Sequence, residues 1–284
     1  MINFLRGLFK KKKETRVRVN VRDLVVLRGS KKIIRGLSFN VSKGQIYGVV
    51  GLSGSGKSTV LKSLVGLLLK QGEVKLSGGY GYCPQEDAFF EDLTIKENIV
   101  LFGSLNGVRE EKSLKKGREL LKSLLMLEKM NSIASSLSGG QKKRLNIIIS
   151  ILHSPKIIIL DEPFAGLDYY NRKILWDFLK HLKNTGYTIL LTTHLLNEAE
   201  DNCSEVLVLR NGKKFAAGSV RQILKRRGVD VVISLRTNYV NKEKEEDILD
   251  IYIRKARGGR VGKVPCRYKL TTGSIAELRE KLPL

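Results

Sequence analysis

The chain has 284 residues, 42% of them hydrophobic, enough to bury a substantial core in one large domain plus a small one. Its formal net charge of +24 calls for an acidic partner: anionic lipid, nucleic acid or the cytoplasmic face of a membrane protein. Cys83, Cys203 and Cys266 show neither metal spacing nor a disulfide framework, and no apolar run reaches the roughly 18–20 residues of a membrane span, so a reducing cytoplasm is expected and self-insertion is not.

Residues 1–16 form a basic N-terminal segment; residues 1–18 hold seven Lys/Arg and one acid. Phe4, Leu5, Leu8 and Phe9 fall at helical spacing and run into Lys10 to Lys13. That pattern fits a short helix on a membrane surface or partner, or a solvated terminus. The charges follow the apolar residues, which is not the order of a secretory signal. From residue 17 to 49, alternation (VRVNVRDLVVL, later LSFNV) around Gly29-Ser30 predicts antiparallel strands.

Ile46 to Val50 is an apolar strand, and GLSGSGKST opens at its end with Gly51, Leu52, Ser53, Gly54, Ser55, Gly56, Lys57, Ser58 and Thr59. Glycines here let several backbone N–H groups aim at phosphate oxygens. Lys57 adds a charge on the β- and γ-phosphates, Ser58 offers a hydroxyl to Mg²⁺, and the helix that follows adds its positive end. Beyond the loop, apolar strands alternate with helical stretches at 108–130 and 171–184, predicting a parallel sheet covered by helices.

Leu137 to Gln141 reads LSGGQ and starts a helix running to Leu152, a second anion-binding end. One chain needs only one phosphate cradle. A head-to-tail dimer accounts for the second, each nucleotide lying between the first loop of one copy and the second of the other; the alternative is a plain helix cap. Lys156 to Leu160 is a buried strand that ends in Asp161 and Glu162. Asp161 suits Mg²⁺ and Glu162 suits polarising an attacking water, unless the pair merely caps the next element. Thr188 to Thr192 is another apolar strand, followed by His194. Strands ending at Gly51, Asp161 and His194 would converge on one site, since ligands of open α/β sheets bind just beyond the carboxyl ends of strands.

The pattern changes near Gly218. Residues 219–284 predict a small α/β accessory domain: strand Val229–Leu235, helix Asp247–Ala256, strand Arg267–Thr271 and helix Ile275–Leu282. Residues 221–284 hold sixteen Lys/Arg and eight acids.

With GLSGSGKST, LSGGQ, LDEP (Leu160–Pro163) and TILLTTH (ending at His194) in that order, residues 17–218 resemble the nucleotide-binding subunit of the ATP-binding cassette (ABC) family. The resemblance implies an α/β P-loop nucleotide hydrolase: a mostly parallel sheet flanked by helices, with an antiparallel β subdomain and a helical subdomain. It implies ATP and Mg²⁺ as ligands, with Ser58, Gln85 and Asp161 on the metal. Glu162, His194, Lys57 and Gln85 would be catalytic. Ser138, Gly139, Gly140 and Gln141 would meet the partner copy's nucleotide, with Asp168 of Gly166-Leu167-Asp168 in the dimer-contact loop. The implied activity is ATP hydrolysis driving a separate transmembrane permease from the cytoplasmic face of the cell membrane, in a dimer of ATPase subunits, with an anionic membrane surface as a further contact. ILLTTHLLNEAEDNC and VLVLRNGKKFAAGS are most similar to the export-type branch.

The sequence departs from the family pattern at three places. Arg28 stands where an adenine-stacking aromatic is usual. The interval from Lys57 to Gln85 is short, with a segment missing around Gln71 to Gly81. GLSGSGKST is a spelling commoner in other branches than in the export branch. The alternative function is a non-transport cassette acting on nucleic acid or the ribosome. The leading reading has no nucleic-acid partner, because the chain has one cassette and no heptad array.

Overall fold

Val17–Arg28 (β1) and Lys31–Ser42 (β2) form a hairpin closed by Gly29-Ser30, where Gly29 takes the left-handed φ of 60° that a tight turn requires. The computed structural model describes residues 17–220, 222–223, 231–238, 246–255 and 262–269. After β2 come the buried strand Ile46–Val50 (β3) and the helix Lys57–Leu64 (α1). Gln71–Leu76 (β4) then returns to pair with β1, completing an antiparallel sheet of order β2-β1-β4.

Tyr80–Cys83 (β5) leads into a helical region of Ile95–Leu105 (α2), Glu110–Ser123 (α3) and Gly139–Ile151 (α4). Ile157–Leu160 (β6), Tyr169–Asn184 (α5), Thr188–Thr193 (β7), Leu196–Asn202 (α6), Glu205–Arg210 (β8) and Lys213–Gly218 (β9) follow. The main sheet has the order β5-β6-β7-β3-β8-β9. Its first five strands run parallel, and β9 folds back antiparallel on β8.

Every residue of β3, β6 and β7 is buried, as expected for parallel strands covered on both faces. The pleat sends alternate side chains to opposite sides. Ile158 and Leu160 pack with the helical region, among Leu145, Ile148 and Leu179. Ile157 and Ile159 pack with α1 and the antiparallel sheet, among Val60, Leu61 and Leu24. One sheet thus separates two cores, and its carboxyl edge is fixed from both sides. Each large aliphatic side chain buried there contributes on the order of 2 kcal/mol.

Two predicted elements differ in the structure. The helical stretch 108–130 stops being an α-helix at Ser123. Leu125 adopts φ 54°, with Met126 N–H donating to Leu121 O and Leu125 N–H to Lys122 O, which is a Schellman ending. Leucine occupies the site where glycine usually announces this turn, so no stop signal is legible there. The second difference lies beyond the cassette. The chain divides into two units, 1–219 and 220–284. In the second unit Val231–Asn238 (β10), Glu246–Lys255 (β11) and Gly262–Lys269 (β12) form an antiparallel sheet of order β10-β11-β12. The predicted helix Asp247–Ala256 is therefore strand over β11. Ile248, Ile251 and Tyr252 sit at helical spacing, but β-branched and aromatic residues also favour strands, and pairing on both sides decides it. Pro265 lies in the edge strand β12, where a missing N–H is tolerated. The basic segment 1–16 and the predicted helix Ile275–Leu282 lie outside the described residues.

Candidate functional site

Four neighbouring parallel strands, β5, β6, β7 and β3, bring the 51–59 loop, Gln85, Asp161, Glu162 and His194 to one edge. The loop after β3 is shaped by close approach. A Cβ on Gly51 would come 2.5 Å from Leu209 O and 2.6 Å from Ser55 Oγ, so only glycine fits. Gly54 and Gly56 take φ of 75° and 104°, turning the chain into α1. That helix has no side-chain cap and no acid in its first turn, so its N–H groups and dipole are free for an anion.

Lys57 is buried, and its Nζ donates to Gly51 O at 2.9 Å and Leu52 O at 3.2 Å. It also pairs with Glu162 Oε1 at 3.2 Å. Glu162 Oε2 lies 2.9 Å from His194 Nδ1; a carboxylate only accepts, so Nδ1 carries the proton. Glu162 itself sits at φ 47°, an unfavourable conformation for a residue with a Cβ, held by its N–H donating to Thr192 Oγ1 at 2.7 Å. The hydroxyl of Thr192 donates to Asp161 Oδ1 at 2.7 Å, and Ser58 Oγ donates to the same oxygen at 3.0 Å. Thr192 thus sets both acids at once. It is a polar residue inside a wholly buried strand, a signal that it needed a buried partner.

A cleft of about 670 Å³ opens over these groups. It is lined by Arg28, Ile33, Leu52, Ser53, Gly54, Gly56, Lys57, Ser58, Thr59, Gln85, Glu162, Ala165 and His194. Ile33 and Ala165 were not predicted. Gly51, Ser55 and Asp161 stand behind the lining, and two of them have unsatisfied atoms: Ser55 Oγ and Asp161 Oδ2 are buried without a hydrogen-bond partner. An orphaned carboxylate oxygen next to a serine hydroxyl suits a hard cation with oxygen ligands, so the residues fit Mg²⁺.

Gln85 reaches the cleft although only Ser77 to Gly79 separate β4 from β5. Its segment has no regular structure and is held through its backbone. Lys143 Nζ donates to Gln85 O at 2.5 Å, Asn146 Nδ2 to Glu86 O at 2.8 Å, and Ala88 N–H to Asn146 Oδ1 at 2.9 Å. Asn98 does the same for Phe90. Buried polar residues on α4 and α2 therefore carry the Gln85 turn, a role invisible in local patterning.

Ser138, Gly139, Gly140, Gln141 and Asp168 do not line this cleft. Ser138 caps α4 in a reciprocal box: Gln141 N–H donates to Ser138 Oγ at 3.4 Å, and Ser138 N–H to Gln141 Oε1 at 2.9 Å. Asp168 caps α5, accepting from Asn171 N–H at 2.8 Å. Asn171's backbone and side-chain donors hold the Asp168 carboxyl below the usual carboxylate range. Cys83 and Cys203 offer no nucleophile, since burial pushes both thiols up to about 12.

A family model described as ABC transporter matches residues 34–165, and one described as AAA domain, putative AbiEii toxin, matches 131–200. An uncharacterized ABC transporter ATP-binding protein of Methanocaldococcus jannaschii is 33% identical over 249 residues, covering 84% of this chain and 95% of that one. A linearmycin resistance ATP-binding protein of Bacillus subtilis is 31% identical, covering 75% and 73%. A Nod factor export ATP-binding protein of a Rhizobium species is 34% identical, covering 69% of each chain. Among solved structures, an ATP binding subunit of an ABC transporter superposes with a TM-score of 0.69 at 28% identity, covering 74% of this chain and 93% of that one.

Proposed function

This chain belongs to the ABC family of transporter ATP-binding subunits and is an ATP-hydrolysing cassette, and on that premise we propose that it is the motor of an exporter. In this reading two copies sandwich two nucleotides and drive a separate transmembrane permease from the cytoplasmic face of the membrane. The cassette is residues 17–218, and 219–284 is an accessory domain. The observation that carries the reading is the division of anion-binding elements. The α1 loop lines the chain's own cleft, while Ser138 to Gln141 are absent from its lining, with Ser138 and Gly139 exposed. Export rests on the relatives named for Nod factor export and linearmycin resistance.

In the cleft, the loop N–H groups and Lys57 would bind the phosphates of ATP. Ser58, Asp161 and Gln85 would hold Mg²⁺, which when bound would supply positive charge against the phosphates. Glu162 would accept a proton from the attacking water, and His194, already bonded to it, would orient that carboxylate toward the γ-phosphate. The nucleotide must compete with Glu162 for Lys57, so ATP binding itself would release the carboxylate for catalysis. Ser138, Gly139, Gly140, Gln141 and Asp168 would close the site from the second copy.

The permease would dock at the groove behind Gln85, lined by Tyr82, Pro84, Ala88, Phe102 and Asn146. Phe90 and Leu105 are exposed in the same region of α2 and its approach, as suits an apolar anchor. Seven Lys/Arg in residues 1–18 suit anionic lipid headgroups beside such a partner.

The dimer is tested by the molar mass of Glu162→Gln with Mg-ATP. A doubling with ATP and none with ADP is expected; an unchanged mass contradicts the sandwich. Arg28 is tested separately. Arg28 lines the cleft beside Ile33, and a guanidinium can stack on a base, so Arg28→Ala is expected to weaken ATP binding about fivefold. Titration with a fluorescent ATP analogue checks this, and unaltered affinity would remove Arg28 from the site.

A further inference from the structure

We infer that Arg144 and Asn171 are positioning residues that lock the Ser138–Gly140 helix start and the Gly166–Asp168 loop into one rigid surface for the second copy. The inference rests on the dimer reading above and adds the device that makes the surface one body.

Arg144 is a buried guanidinium with three acceptors on three elements. Its Nη1 donates to Leu124 O at 2.7 Å, at the end of α3. Its Nε donates to Gly140 O at 3.2 Å, in the first turn of α4. Its Nη2 donates to Asn171 Oδ1 at 2.7 Å, in the first turn of α5. Asn171 passes the link on, because its Nδ2 donates to Asp168 Oδ2 at 2.6 Å while its backbone N–H holds Oδ1.

Packing repeats the message. A Cβ on Gly140 would lie 3.1 Å from the Asn171 amide, so the start of α4 is seated against that side chain. The planar Arg fork has fixed directions, so it fixes the relative placement of the two helix starts and not merely their proximity. The two joined segments are those that stay out of the chain's own cleft. Beside them Tyr169 and Tyr170 are 85% and 65% exposed, an aromatic pair in water next to the capped loop. Such residues are enriched where protein surfaces meet.

Within one chain this network serves no group in the nucleotide cleft. Its effect should therefore be on closure and not on a single copy's grip on ATP. The test uses the full chain carrying Glu162→Gln. Adding Asn171→Ala is expected to raise the dimer dissociation constant with Mg-ATP about tenfold. Nucleotide affinity measured at protein concentrations where the chain is monomeric should stay within about twofold. In the chain with Glu162 intact, Asn171→Ala should lower turnover at low enzyme concentration and recover it at high concentration. A change that merely loosened the fold would move monomer affinity and thermal midpoint together.

Dimerisation equal to that of Glu162→Gln alone, or a parallel loss of monomer affinity, overturns the inference and leaves the dimer reading standing. A Glu162→Gln chain that stays monomeric with ATP removes both. If Asn171→Ala does not fold, Asn171→Asp serves in its place. It keeps an oxygen for Arg144 and sets a carboxylate against Asp168, so it carries the same expectation.

Discussion

Glu162→Gln should bind ATP at least as well as the parent chain while turning it over about a hundred- to a thousandfold more slowly. The first half follows from the ion pair. Lys57 Nζ lies 3.2 Å from Glu162 Oε1, so a neutral amide frees the ammonium for phosphate. The second half follows from the loss of a base. The amide cannot take a proton, yet it keeps the shape of the side chain and its contact with His194 Nδ1. Equilibrium binding and phosphate release on the same preparation separate the two. Turnover within about fivefold of the parent would remove Glu162 from the role of base.

Lys57→Ala should do the opposite, weakening ATP binding by about a hundredfold or more. The ammonium is buried, and the substitution removes the point charge from the cleft. It also leaves Glu162 without its ammonium partner beside the incoming phosphates, a repulsion that adds to the lost attraction. His194 still contacts that carboxylate, and the loop carbonyls of Gly51 and Leu52 can turn to solvent, so the fold should survive. Isothermal titration with ATP checks the affinity, and circular dichroism checks the fold. Near-parental affinity would mean that the loop backbone alone carries the phosphates.

Much of this site was readable because its residues sit at the ends of short apolar runs. Ile157–Leu160 and Thr188–Thr193 announce themselves as buried strands, and the acids and histidine that follow must then lie at the sheet edge. What escaped was decided by tertiary partners. Thr192 looks like one more strand residue until its hydroxyl is seen between Asp161 and the Glu162 backbone. Lys143 and Asn146 look like helix surface, yet they hold the Gln85 turn. Leu125 ended α3 without a glycine, and β11 became strand because neighbours on both sides supplied its hydrogen bonds. Asn171 carried no local signal, since asparagine in a first helical turn is ordinary and only Arg144 gives it a role.

The central claim is that this cassette drives a separate membrane protein. A mild-detergent pull-down of the tagged chain from its native membranes, with the co-purifying proteins identified, tests it most directly. The account predicts a stoichiometric multi-span membrane protein that is lost when Phe102, which lines the groove behind Gln85, and exposed Phe90, whose ring neighbours it, are replaced by charged residues. Recovery of ribosomal proteins or nucleic acid with no membrane protein would contradict it, leaving the ATPase site in place and the transport role without support.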